Sequence, residues 1–193
     1  MKKIPTLFDR EFANHKVVKV TDKVTPGMEW VLEGKGVATV KIDGACCAII
    51  GGKFYKRYDA KNRKKVPAGS IPCCDPDPVT GHWPHWAPVD EKNPSDKWFV
   101  EAFKNTSLAG YTDWTFEAVG PHFQGNPHRL ALDILVPHGI SQTNVKRTFE
   151  SIREWLEEHE EEGLVFWLDG KPRCKIKRTD FGLEWPIKAK EGE

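Results

Sequence analysis

The 193-residue chain has no apolar run long enough to cross a bilayer, which takes about 20 consecutive apolar residues. Behind Lys2 and Lys3 there is no apolar h-region, so a secretory signal is not expected. Cysteine is scarce and oddly placed: there are five, four of them in the adjacent pairs Cys46–Cys47 and Cys73–Cys74. That pattern is no disulfide framework, and a reducing cytoplasm is the expected setting. An excess of one charge is missing too, with 29 Lys and Arg against 28 Asp and Glu for a net +1. Bulk charge therefore does not announce a polyanionic partner, and any such binding needs a local basic patch. Repeats and low-complexity tracts are absent, and no obligate protein partner is evident. One α+β domain over residues 1–193 is the expectation.

What is there begins with charge. Basic stretches lie at 53–65 ("KFYKRYDAKNRKK") and 171–178 ("KPRCKIKR"), opposed by the acidic run 157–162. Strands are expected over "VATVKI" and over "CCAIIGGKFYKRY", the second broken by a tight turn at Gly51-Gly52. Residues 66–98 are rich in proline and polar turn formers and are expected to form a long irregular insertion, packed down by Trp83, Trp86 and Trp98. "WTFEAVG" and "RLALDIL" are expected strands. Val145, Phe149, Ile152 and Leu156 recur at helical spacing and predict a helix with that stripe in the core. "GLVFWL" and "RCKIKR" flank Asp169-Gly170 as a hairpin. A two-residue turn there sets residue 164 opposite 175 and 162 opposite 177, which would gather Glu162, Lys175 and Lys177 on one face. Pro172 sits where it would disturb that register.

"TVKIDGACC" (39–47) carries the chemistry. Alternation sends Val40 and Ile42 one way and Thr39, Lys41 and Asp43 the other. A lysine on a sheet face beside an aspartate is either a solvated ion pair or a nucleophile. Further along stand Glu117 inside the apolar "FEAVG", Glu162 before "GLVFW", and the alternating Lys175 and Lys177. Together they suit attack of an amine on a nucleotide's α-phosphate. The amine must be uncharged to attack, which neighbouring cations or desolvation favour. Lys175, Lys177, Arg57 and a bound Mg²⁺ would supply those cations and offset the phosphate charge as pyrophosphate leaves. Carboxylates would hold the metal or its water shell and bind ribose hydroxyls.

The ordered set "KIDG", "FEAVG", "EGLVF", "KIK" resembles motifs of the covalent nucleotidyltransferase superfamily, which comprises ATP-dependent RNA and DNA ligases and capping enzymes. With "KIPTLFDR", the vicinal cysteines after "KIDG", and "IPCCDPDPVTGHWPHW", the chain is most similar to the family that includes the vertebrate 5′-to-3′ RNA ligase. The resemblance spans about residues 3–178. It implies a ligase adenylation domain, ATP-grasp-like, of antiparallel sheets with flanking helices. Nothing after Arg178 is long enough to add an OB domain.

The resemblance also implies roles. Lys41 would be the catalytic nucleophile that takes AMP. ATP would be bound by Val40, Lys41, Ile42, Gly44, Arg57, Glu117, Glu162, Val165, Lys175 and Lys177. Arg57 would contact the nucleotide, with Lys56 a near competitor, and Glu117 would bind the ribose. Glu162 would associate with Mg²⁺ or Mn²⁺, Val165 would lie against the adenine, and Lys175 and Lys177 would hold the α-phosphate. "RLALDIL" departs from the pattern by offering only Leu130, Ala131 and Leu132 where an aromatic often stacks on the base, leaving Phe116 or a loop aromatic as candidates.

The implied activity is ATP-dependent joining of RNA 5′-phosphate and 3′-hydroxyl ends through lysyl-AMP and adenylylated RNA. Two rivals remain open: a GTP-using capping guanylyltransferase and a catalytically silent RNA-binding relative. A zinc site of Cys73, Cys74, His82 and His85 lacks C-x-x-C spacing. Cys46 and Cys47 are expected to be small core residues.

Overall fold

The computed structural model describes residues 3–14, 16–61 and 65–187; Asn62–Lys64 of the first basic stretch and the end of the tail lie outside the described residues. In chain order come strands β1 (Phe8–Ala13) and β2 (Lys16–Val24), a short helix α1 (Glu29–Leu32), and strands β3 (Val37–Lys41), β4 (Ala45–Ile50), β5 (Lys53–Lys61), β6 (Ile71–Pro72) and β7 (His82–Pro88). Helix α2 (Lys97–Lys104) precedes β8 (Trp114–Val119), β9 (Ile134–Pro137) and β10 (Gln142–Thr143). Helix α3 (Phe149–Glu158) then leads into β11 (Gly163–Leu168) and β12 (Lys171–Lys177). The class is α+β, with antiparallel sheets and few helices, as expected from the sequence. The chain divides into two compact units, one chiefly Asp43–His138 and the other Ile4–Ile42 with Gly139–Glu193.

The second unit holds the hairpin β1–β2 and a four-stranded sheet in the order β10-β3-β11-β12. Period-two alternation gives this sheet one apolar face: Ala38, Leu164, Phe166, Cys174 and Ile176 are buried, with Val40 packed beside them. Against it lie Ile152, Trp155 and Leu156 of α3, and Leu7, Phe8 and Val20. Each fully buried Phe, Leu or Ile contributes about 1.5–3 kcal/mol. The helix begins later than the stripe implied. Thr148 caps it by accepting the Ser151 amide at 3.1 Å, which leaves Val145 before the helix though still in the core.

Asp169-Gly170 does form the β11–β12 turn, both residues having positive φ (53° and 68°), as a type I′ turn requires. The register is not the expected one. Pairing runs Leu168–Lys171 and Trp167–Pro172, then slips to Phe166–Cys174, so Val165 faces Lys175 and Gly163 faces Lys177. Arg173 is the extra residue of a bulge beside Pro172, which has no N–H to give the ladder.

The first unit is built on a six-stranded sheet, order β6-β7-β5-β4-β8-β9. Cys47, Ile49, Phe116, Ala118 and Leu135 form its core face, with Ala102 of α2 and Phe123. The Gly51-Gly52 turn is present with both φ values positive. Within 66–98, expected to be irregular, His82–Pro88 is a full strand. Its prolines are tolerated for a geometric reason. The Pro84 carbonyl accepts from the Cys73 amide, so residues 84, 86 and 88 turn their backbone polar groups away from β5 and leave that ladder intact. "RLALDIL" is a strand only from Ile134. The Asn126 side chain satisfies both backbone groups of Leu130, and Asp133 turns inward to hold the amide and ring of His122.

Candidate active site

On the four-stranded sheet, the face turned away from the apolar core carries the charged residues. Gly163 pairs with Lys41 on one side and with Lys177 on the other, so both lysines project from the same row across β3, β11 and β12. Glu162 lies just before β11, where strand alternation no longer fixes its direction. Its carboxylate reaches both ammonium groups: Oε2 accepts from Lys41, and Oε1 accepts from Lys177 at 2.5 Å. Glu162 is 3% exposed and Lys41 17%, so the cluster is a largely desolvated one.

Gly163 is the residue that permits this. A Cβ there would collide with the Ile176 carbonyl oxygen and lie 3.0 Å from Lys177 Cα. Lys177 is itself anchored from behind. Its amide donates to Asp180 Oδ2 at 2.9 Å, and Asp180 Oδ1 pairs with Arg10 at 2.6 Å. Arg178, buried next to it, donates to the carbonyls of Leu156, His159 and Glu184.

One row along the same face stand Thr39, Val165 and Lys175, all paired through the register. Trp167 follows, its indole N–H donating to Thr39 Oγ1 at 2.9 Å. Val40 has its side chain on the core side, so the K-I-D-G lysine and its predecessor face opposite ways, as alternation predicts.

The six-stranded sheet likewise has a core face and a second face. Glu117 pairs with Cys46, and the β4–β5 register sets Arg57 beyond it, so these three share the second face. Arg57 donates to Asp59 at 3.0 Å; burial pulls its guanidinium down, but that hydrogen bond and charge hold it above its usual value. Lys56 points to the other side and pairs with Asp96, which is 1% exposed. Glu117 Oε1 lies 3.1 Å from His138 Nε2, while its Oε2 is buried without a partner. Gly44 is required by packing, since a Cβ would collide with the Ala118 carbonyl oxygen and approach Val119 Cγ1 to 2.8 Å.

The geometry removes one stacking candidate. Phe116 is 0% exposed in the core, where no base can reach it. Cys47 is buried as expected, and Cys46, on the second face, packs against the buried cluster of Ala48, Tyr55 and Trp86. Among the described residues, Cys73, Cys74, His82 and His85 do not converge as metal ligands. His85 is buried with Nδ1 2.8 Å from the Trp83 carbonyl oxygen. Lys41, Glu162 and Lys177 are thus brought together, Lys175 stands one row along the same face, and His138, which carries no local sequence signal, joins Glu117.

Two curated proteins resemble the chain in sequence. RNA ligase 1 of Danio rerio is 28% identical, over 55% of this chain and 43% of its own length. RNA ligase 1 of Pongo abelii is 25% identical, over 78% of this chain and 69% of its own. The chain is a distant relative of proteins named RNA ligase 1. No family model matches it. The chain spans less than half the length of the Danio rerio protein in that alignment. Among the described residues, no helix is long and apolar enough to cross a membrane.

Proposed function

We propose that this chain is an ATP-dependent RNA ligase and that residues 1–193 are an adenylation module of the nucleotidyltransferase type. The observation that carries this is the Glu162 carboxylate, just before β11, shared by Lys41 of β3 and Lys177 of β12. A structural ion pair needs one lysine. A phosphate site needs several, and it needs one amine able to leave its partner.

Lys41 Nζ loses one proton to solvent, attacks the α-phosphorus of ATP as the neutral amine, and sheds a second proton to solvent as the P–N bond forms. The bond to pyrophosphate breaks and a phosphoramidate to AMP forms. Lys177 and Lys175 offset the phosphate charge, and Val165 contributes an apolar contact for the base. AMP then passes to an RNA 5′-phosphate. A 3′-hydroxyl attacks that activated end, forming the phosphodiester and releasing AMP.

Both oxygens of Glu162 are engaged by ammonium groups, so a divalent cation in direct contact with it does not fit this arrangement. Mg²⁺ or Mn²⁺ enters as the complex with substrate ATP. Roles for Gly44, Arg57 and Glu117 toward the nucleotide rest on the sequence resemblance, with Arg57 preferred to Lys56 because Lys56 is committed to buried Asp96.

The test is joining of two RNAs, one with a 5′-phosphate and one with a 3′-hydroxyl, in the presence of ATP. A pre-adenylylated 5′ end should be joined without ATP, and GTP should not replace ATP in the first reaction. Labelling by GTP alone would favour a capping-type guanylyltransferase, and no labelling by either a silent RNA-binding relative.

A further inference from the structure

We propose that Cys46, Glu117 and His138 form a binding site for one thiophilic divalent cation of the zinc class. The ligand atoms of these three side chains lie within 4.8 Å of one another. They come from three adjacent strands or their ends: Cys46 on β4 sits directly opposite Glu117 on β8, and His138 follows β9 with its amide bonded to the Thr115 carbonyl oxygen. Thr115 and Glu117 share a face of β8, so the sheet itself aims all three groups at one point.

The chemistry of the set is selective. Thiolate with imidazole suits zinc, cobalt or cadmium and disfavours magnesium and calcium, which take oxygen. Two details prepare the site. Glu117 Oε2 is buried and has no hydrogen-bond partner, a cost that a cation removes. His138 Nδ1 lies 2.8 Å from Thr115 Oγ1; when that hydroxyl accepts Nδ1–H, Nε2 is left bare and directed at Glu117. Tetrahedral bonds of about 2.0–2.3 Å put neighbouring donors roughly 3.3–3.8 Å apart, so movement of about 1 Å closes the set. Cys46 and His138 keep partial exposure, which admits the ion and leaves a fourth position for solvent.

Binding replaces the Cys46 S–H bond with a metal–sulfur bond and releases that proton to solvent. The bound ion would tie β4, β8 and the end of β9 together. The proposed site uses none of Lys41, Glu162 and Lys177, but it shares Glu117 with the ligase reading, in which that carboxylate binds the ribose.

The experiment is titration of the metal-free full chain with Zn²⁺ and, separately, with Co²⁺. One equivalent of zinc should remain after dialysis. Cobalt should give a thiolate-to-metal charge-transfer band in the near ultraviolet, with one proton released. Cys46→Ser should lose the band, Thr115→Val should weaken binding by roughly 10- to 100-fold, and Lys41→Ala should bind as the parent does. Absence of the cobalt band in the parent chain, or its persistence in Cys46→Ser, overturns the proposal whatever the variants' stability. Loss of ligation with retained metal binding would count against the ligase reading alone.

Discussion

Lys41 donates to Glu162 although 121 residues separate them in the chain. The contact exists because β3 and β11 are neighbours in register, with Gly163 directly opposite Lys41. A second lysine, Lys177, completes the cluster from the other side.

Replacing Glu162 with glutamine removes the negative charge that both ammonium groups share. Breaking a buried pair costs about 3–5 kcal/mol, and the partial exposure of both lysines lowers that to about 1–3 here. Urea unfolding should show the loss, and AMP transfer should fall with it. Unchanged stability together with full activity would remove Glu162 from the site.

Gly163→Ala places a methyl group against the Ile176 carbonyl oxygen, and the β11–β12 ladder must open to accept it. Overpacking of this kind costs about 1–3 kcal/mol. Gly44→Ala meets the Ala118 carbonyl in the same way. Both variants should unfold at lower urea than the parent; a parent-like midpoint in either would mean the backbone yields more easily than its neighbours allow.

Lys56 and Arg57 are adjacent in sequence and opposite in role. Lys56→Met leaves the buried Asp96 carboxylate without its cation, only the Asp90 amide still donating to it among the described contacts, costing about 3 kcal/mol. Arg57→Ala should leave the unfolding midpoint nearly unchanged and reduce AMP transfer. The reverse pattern would hand the nucleotide contact to Lys56.

Burial pushes the Cys174 thiol up to about 12, against about 8.5 for a thiol in an unfolded chain. Between those values the folded state keeps a proton that the unfolded chain has lost. The stability this gives is full below about pH 8.5 and declines as pH rises, by about 1.4 kcal/mol per pH unit. Cys46 acts in the same direction. Unfolding midpoints measured from pH 8 to pH 10 should fall, and Cys174→Ala should flatten the slope by one proton's worth. An identical slope in the variant would contradict the assignment.

Much of the site was legible in the sequence because strand alternation is a local rule. It put Lys41 and Val40 on opposite faces, and the two glycine turns marked both hairpins. The Glu162–Lys177 contact was reached through a register one residue out. A strict two-residue hairpin pairs 162 with 177, whereas the bulge at Arg173 pairs 163 with 177, and the contact survives because Glu162 lies outside the strand. Strand β7 was hidden by prolines whose missing N–H groups face away from β5, which no single-sequence pattern reveals. The early end of "RLALDIL" as a strand depends on Asn126 and Asp133, whose partners are fixed only by the fold. His138 has no local signal for a similar reason: its nearness to Cys46 and Glu117 arises across three strands.

The measurement that bears most directly on the proposed chemistry is intact-mass analysis of the chain after incubation with ATP and Mg²⁺, followed by peptide mapping. The mass should rise by one AMP, carried on the peptide that contains Lys41. Lys41→Ala and Lys41→Arg should both stay unmodified, because guanidinium keeps its proton and cannot attack. An AMP adduct on either variant, or on any other residue of the parent, would contradict Lys41 as the nucleophile.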